Sequence, residues 1–331
     1  MPYTWEGKKV LVTGAGGFIG SHLVEQLVEK KAKVKAFIRY NSRGDRGALE
    51  WLSPLIQDKL EIIAGDLRNQ RAVESAMQDI DIVFHLGALI AIPYSYLYPQ
   101  DVIETNILGT TNVLLSAKKL GTIRVIHASS SEVYGTAQYV PIDEKHPLQA
   151  QSPYAASKIG ADKIVESFVK SYALPVTTLR PFNTFGPRQS SRAVIPTIIS
   201  QALTQNTILL GAMAPKRDFT FVADTVSAFF AVAESDKTIG EVFNAGSNIE
   251  ISIGELAEKI IKLMDKQVKI IFDATRIRPT TSEVEQLMAD SRKLTQATGW
   301  IPKTSLDEGL TQTIDWISDN INIFKTHIYN I

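Results

Sequence analysis

Of the ten tyrosines, only Tyr154 is followed four residues later by a lysine, Lys158. Residues four apart on a helix share a face, which brings the phenol and the ammonium together. A phenol with an ordinary pKa of about 10 is a weak base at neutral pH, and a cation beside it favours the phenolate. The pair could then remove a proton from an alcohol. Ser129-Ser130-Ser131-Glu132 follows the apolar run Val125-Ile126-His127-Ala128. At the carboxyl edge of a parallel strand, where such sheets bind ligands, the Ser130 hydroxyl can share a substrate hydrogen bond with Tyr154. Glu132, two positions on, can take a proton from a carbon next to a carbonyl. Taken singly, these features also describe an exposed helix pair and a Ser-rich turn with a capping glutamate.

Such residues need a scaffold that brings them together. Short apolar runs alternate with helical patterns through the first half of the chain, as in a parallel sheet wrapped by helices. Strands are expected at Lys9–Thr13, Lys33–Ile38, Leu60–Ala64, Ile82–Leu86, Arg124–Ser129 and Val176–Arg180. Helices are expected at Ile19–Lys31, Asn69–Gln78, Val102–Leu120 and Pro153–Tyr172, the last with Ser152 as its cap and Pro153 in its first position. The fold class is therefore α/β, a doubly wound parallel sheet of Rossmann type over residues 1–180. Residues 181–331 are expected to form mainly a smaller, partly interleaved α/β substrate lobe, with some segments returning to the first domain. Its elements are strands at Phe219–Val222, Glu241–Asn244 and Lys269–Phe272 and helices at Ala193–Thr204, Ile253–Met264 and Leu306–Asn320. A cleft between the lobes is the expected ligand site.

The first strand runs into Gly14-Ala15-Gly16-Gly17-Phe18-Ile19-Gly20 and then a helix. Gly14 permits the tight turn, Gly17 lets backbone amides approach a pyrophosphate, and Gly20 lets helix and strand pack closely, so the loop reads as a dinucleotide site. The second strand ends without the acidic residue that would hold the ribose hydroxyls of NAD. It offers Arg39, Asn41, Ser42 and Arg43 instead, groups suited to a 2′-phosphate. NADP is favoured, with NAD as the alternative, and Asp66-Leu67 is expected beside the adenine.

Composition narrows the remaining classes. The 331 residues carry 35 basic and 35 acidic side chains, a balance that argues against a nucleic-acid partner. The absence of cysteine removes disulfides, thiolate metal sites and cysteine nucleophiles, and it fits a reducing compartment. The five histidines at 22, 85, 127, 146 and 327 show no metal-binding spacing, so no metal is expected. With no signal-like start and no apolar run of membrane length, the chain is expected in the cytoplasm, away from any membrane.

Beyond this chemistry, the sequence resembles an extended short-chain dehydrogenase/reductase of the NAD-dependent epimerase/dehydratase family. The matching stretches are Gly14–Gly20, Gly65-Asp66-Leu67, His85-Leu86-Gly87-Ala88, Thr105–Thr110, Ser130/Tyr154/Lys158, Leu179–Asn183, Arg217–Asp224 and Arg278-Pro279. The resemblance implies a nucleotide-sugar substrate and a homodimer formed through the helices at Val102–Leu120 and Pro153–Tyr172. It assigns the cofactor, besides the residues above, to Phe18, Ile19, Leu86, Ala88, Tyr154, Lys158 and Pro181. The substrate falls to Ser95, Asn183, Arg188, Arg217 and Arg278, with the arginines at 217 and 278 clamping a diphosphate.

Within the family, 4,6-dehydratases carry a glutamate where this chain has Glu132, and Ser130-Ser131-Glu132 is closest to the loop of GDP-mannose dehydratases. The stretches 88–96 and 135–144 resemble dehydratases of legionaminic-acid-type pathways, which implies a nucleotide-linked N-acetylglucosamine. The implied reaction oxidises C4 through Tyr154, Ser130 and Lys158. Glu132 then eliminates water across C5 and C6, with Ser131 or Glu132 relaying a proton, and hydride returns to C6, so a tightly bound cofactor is recycled. The rival readings are a 4-epimerase, a UDP-uronate decarboxylase and a non-catalytic NADP-sensing regulator.

Overall fold

The computed structural model describes residues 3–324; His327 and the end of the expected second lobe lie outside them. Twelve strands occur among the described residues: β1 (Lys9–Thr13), β2 (Lys33–Arg39), β3 (Leu60–Gly65), β4 (Ile82–His85), β5 (Arg124–Ala128), β6 (Val176–Pro181), β7 (Asn183–Phe185), β8 (Thr207–Leu210), β9 (Lys216–Phe221), β10 (Val242–Ala245), β11 (Glu250–Ser252) and β12 (Lys269–Phe272). Seven of them form one parallel sheet in the order β10-β6-β5-β4-β1-β2-β3. The chain winds outward from β1 in one direction through β2 and β3, then in the other through β4, β5 and β6. The carboxyl ends of β1 and β4 therefore flank the switch point where doubly wound sheets bind ligands.

Each of the strands β1–β6 lies within one residue of its expected bounds because each contains a short apolar stretch bounded by polar or turn residues. Val10, Leu11, Val12, Val83, Phe84 and Ile126 are completely buried. The helix Pro153–Tyr172 also begins where the cap predicts, with the Ser152 hydroxyl accepting from the Ala155 N–H at 3.1 Å. The pattern at Val102–Leu120 resolves into a helix Pro99–Ile103, a π turn Glu104–Leu108 and a helix Gly109–Leu120.

The second half departs further from expectation. A helix, Val222–Ala233, forms where only the end of a strand was expected. It is buried on nearly every side, from Val222 and Val226 to Phe229 and Phe230, so it lacks the polar stripe by which a surface helix is recognised. It joins the main core together with Leu23, Val24 and Leu27 of the first helix, and β10, which follows it, extends the main sheet beside β6. The other strands form a three-stranded sheet, β11-β9-β7, and a parallel pair, β12-β8. No helix among the described residues is long and apolar enough to cross a membrane.

Candidate active site

The glycine loop shows which of its glycines the backbone demands. Gly14 has φ of +70°, and a Cβ there would lie 2.8 Å from Gly87 Cα. A Cβ on Gly20 would lie 2.2 Å from Gly14 O, so the helix can approach β1 only without one. A Cβ on Gly17 would meet nothing closer than Gly14 O at 3.1 Å. Gly17 caps the helix Phe18–Glu29 without any side-chain bond, leaving the first-turn amides of Phe18 and Ile19 to an anion. The chain after β4 lines the opposite wall: Leu86 N–H donates to Thr13 O at 3.2 Å and Gly87 N–H to Thr13 Oγ1 at 3.0 Å, with half-buried Ala88 next. Half-buried Pro181 closes the same sheet edge at the end of β6. This cradle fits a dinucleotide.

At its far end, the Asp66 carboxylate is gripped by Arg68, whose Nη2 lies 2.7 Å away, and this bond holds Asp66 below the usual carboxylate range. Leu67 is buried, with its Cβ against the place where a Gly109 Cβ would be. The Arg39 guanidinium is exposed and has no hydrogen-bond or ion-pair partner among the described residues, although its charge reaches Asp66. Exposed Ser42 lies in the loop that follows. Asn41 corrects the expectation of a free ligand group: its Nδ2 donates to Asp45 O at 2.7 Å, and its Oδ1 accepts from the N–H groups of Arg43 and Asp45. That amide clips its own loop shut.

The catalytic candidates converge at the end of β5. Ser130 caps the short turn Ser131–Tyr134, accepting from Glu132 N–H at 3.2 Å, and its hydroxyl acts on the Tyr154 phenol to favour the phenolate. Ser131 is buried in the turn, while Glu132 is half-buried with its charge felt at Tyr154. Burial pushes the Tyr154 phenol up to about 12. Lys158 Nζ donates to Ala128 O at 2.6 Å, and burial lowers its ammonium to about 8. Burial thus favours the neutral form of both groups, leaving the phenol protonated and the lysine still mostly cationic at neutral pH.

Sequence reasoning passed over the polar layer beneath this pair. Asp162, one further turn along the helix, accepts from Ser129 Oγ at 2.9 Å and from Arg180 Nε and Nη2 at 3.0 and 2.9 Å, and its other oxygen lies 3.3 Å from His127 Nε2. Burial alone would raise this carboxyl, but His127, Arg180 and Lys158 bring it down to about 2. The signal was present as a third residue at helical spacing after Tyr154 and Lys158. His85 is pinned between Thr13 and Thr110 at 2.8 and 3.0 Å, and burial keeps it neutral.

A cavity of about 270 Å³ in the second lobe is lined by Asn183, Arg192, Arg217, Arg276, Arg278 and Glu283, among others. Buried Arg217 and half-buried Arg278 both reach Glu283 Oε1, at 3.2 and 3.6 Å. Glu283 was not singled out from the sequence, since an isolated glutamate in a polar stretch carries no periodic signal. Arg217 also feels the charge of Glu132 in the catalytic turn. The Asn183 Oδ1 is buried there without a partner.

Two expected substrate residues lie elsewhere. Ser95 is fully buried, with its hydroxyl donating to Ile92 O at 2.7 Å inside its own helix. Arg188, at φ of +68°, turns from the cavity to pair with Glu25 of the first helix at 2.7 Å.

The comparisons with known proteins agree with this geometry. Residues 11–313 match the family model described as GDP-mannose 4,6 dehydratase. The chain is 33% identical to the UDP-N-acetyl-alpha-D-glucosaminuronate decarboxylase of Bacillus cytotoxicus, over 94% of this chain and 98% of that protein. Among solved structures, DesIV, a dTDP-glucose 4,6-dehydratase from Streptomyces venezuelae with NAD and TYD bound, superposes with a TM-score of 0.86 at 27% identity, covering 96% of this chain and 99% of that one. The UDP-N-acetylglucosamine 4-epimerase of Methanobrevibacter ruminantium M1, in complex with UDP-N-acetylmuramic acid, superposes at 0.85 and 32% identity, covering 95% of this chain and 99% of that one.

Proposed function

Because the chain belongs to the NAD-dependent epimerase/dehydratase family of extended short-chain dehydrogenases/reductases, we propose that it is a nucleotide-sugar 4,6-dehydratase acting on an NDP-N-acetylglucosamine. The observation that carries this reading is a carboxylate at Glu132 whose charge is felt both by the Tyr154 phenol and by Arg217 of the neighbouring cavity. A C4 epimerisation needs only the tyrosine pair, whereas eliminating water across C5 and C6 needs a second base.

The cofactor would rest on Gly14, Gly17, Phe18, Ile19, Gly20, Leu86, Ala88 and Pro181, and the unpaired Arg39 supports its 2′-phosphate form, NADP. When bound, the nicotinamide supplies the acceptor for hydride from C4 and the donor of that hydride to C6, so no oxidant is consumed. Tyr154 removes the C4 hydroxyl proton, with Ser130 holding the same oxygen and the Lys158 ammonium stabilising the phenolate. The C4 ketone acidifies the C5 proton, which Glu132 takes. Glu132, relayed by Ser131, protonates the C6 hydroxyl as it leaves as water; C5 then takes a proton from solvent, and Tyr154 returns to solvent the one it took from the C4 hydroxyl. Arg217 and Arg278 hold the diphosphate, exchanging Glu283 for phosphate oxygens. A homodimer through the helices spanning 99–120 and 153–172 is supported by exposed Ile103, Leu108 and Leu115.

A decarboxylase is the second reading, favoured by the 33% identity to one. The deciding experiment offers GDP-, UDP- and thymidine-linked hexoses, N-acetylhexosamines and uronic acids and identifies products by mass and NMR. A 4-keto-6-deoxy product that disappears in Glu132→Gln supports the proposal. Carbon dioxide release, a product retaining its C6 hydroxyl, or full dehydratase turnover in that variant overturns it.

A further inference from the structure

The buried layer under the Tyr154–Lys158 pair holds charges that the reaction as written does not use. Tyr154, Lys158 and Asp162 follow at four-residue spacing along one helix, so each sits one turn beyond the last. Lys158 holds Ala128 O and Asp162 holds the Ser129 hydroxyl, so two consecutive residues at the end of β5 are tied to that helix. Behind Asp162, Arg180 of β6 continues to the Tyr134 hydroxyl at 2.9 Å, which donates to Asn244 Oδ1 at 2.7 Å.

We propose that Asp162 is a positioning residue for the Tyr154–Lys158 pair: it locks the end of β5 to the catalytic helix and supplies the negative charge lying between Lys158 and Arg180. The proposal rests on the reading of Tyr154 as the base. The titratable and charged groups around Asp162 are Tyr154 and Lys158 on its own helix, His127 on β5, Arg180 on β6, His85 on β4 beyond His127, and Glu132 and Tyr134 on the turn. Glu144 stands behind Asn244, whose N–H donates to it. The two histidines are lowered by burial and carry no charge at neutral pH. With Lys158 and Arg180 cationic, Asp162 leaves the layer one positive charge in excess, which a phenolate at Tyr154 would neutralise. Its charge also raises both Tyr154 and Lys158, so that each holds its proton to higher pH than it would beside the two cations alone.

The sign of the effect separates this role from simple packing. Asp162→Asn removes a negative charge and should move the ionisation of both groups to lower pH by about one unit. Arg180→Gln removes a positive charge while keeping a donor to Asp162, and should move them to higher pH. Tyr154 is followed in the cofactor-loaded protein by ultraviolet phenolate difference spectra, with Tyr154→Phe subtracted. Asp162→Glu should restore the wild-type titration. The pH profile of turnover on an accepted nucleotide sugar is measured in parallel.

Opposite shifts in the two variants support the proposal; unchanged titrations, or shifts in the same direction, overturn it. If Asp162→Asn does not fold, the direction of the Arg180→Gln shift decides alone. Because the spectral titration needs no turnover, opposite shifts in a protein that converts no sugar would refute the enzymatic reading and leave the electrostatic coupling standing.

Discussion

Gly20→Ala tests how the sheet, the first helix and the cofactor cradle depend on one another. The added methyl carbon would lie 2.2 Å from Gly14 O and 3.0 Å from both Gly14 C and Ala15 Cα. All three are backbone atoms of a turn anchored by Gly14 N–H and Ala15 N–H to Phe37 O, so no side chain can swing aside. The helix must move by roughly 1 Å to reach an ordinary carbon–oxygen contact. It is held by Leu23, Val24 and Leu27, all completely buried, and a shift of that kind in a packed core costs about 1–3 kcal/mol. Displaced first-turn amides no longer point at the pyrophosphate, so dinucleotide affinity should fall by about tenfold or more, at 1.4 kcal/mol per factor of ten. Gly17→Ala is the control: its methyl meets only Gly14 O at 3.1 Å, so its cost to the apo protein should be the smaller. The assays are thermal unfolding of the apo protein and calorimetric titration with NADP and NAD. If Gly20→Ala melts with wild-type protein and binds the dinucleotide equally well, the close approach of helix and strand is not what the loop depends on.

Three further outcomes are expected. Arg39→Ala should weaken NADP binding about 10-fold or more, the loss of a charge-assisted phosphate contact, and leave NAD binding unchanged; equal losses for both would refute the 2′-phosphate assignment. Arg217→Gln should raise KM for the nucleotide sugar about 10- to 100-fold with a smaller change in kcat, because the diphosphate is held alike in ground and transition states; steady-state kinetics at fixed cofactor measures this. His127, Arg180 and Lys158 hold the buried Asp162 carboxyl down at about 2 in the folded chain, against its ordinary 3.8. A depressed carboxylate contributes stability that is complete above its unfolded pKa and is lost as pH falls through the folded one. Acid unfolding followed by circular dichroism should therefore be less steep between about pH 4 and pH 2 in Asp162→Asn than in wild type.

The parts of this molecule that were legible in its sequence are those whose physics is local. The short apolar stretches at the centres of β1–β6 marked the strands, and Gly14–Gly20 marked a tight turn running into a helix. Ser152-Pro153 announced the catalytic helix, and the spacing of Tyr154 and Lys158 implied one shared face. The inward turn of Ser95 was not legible, because sequence does not fix which way a serine on a short helix points. The same holds for Arg188, whose guanidinium reaches Glu25, 163 residues away along the chain.

What only the tertiary structure decided concerns residues brought together across long intervals. The helix Val222–Ala233 has no amphipathic stripe because the fold surrounds it. Glu283 acquires meaning only when it closes on Arg217, 66 positions earlier in the chain. Asp162 owes its role to His127 on β5, Ser129 just past the end of β5 and Arg180 on β6, all turned toward it. Local sequence determines which groups can do chemistry and which element carries them. The charge each group carries is set by burial and by partners from distant segments, and those exist only once the sheet has closed around the helix.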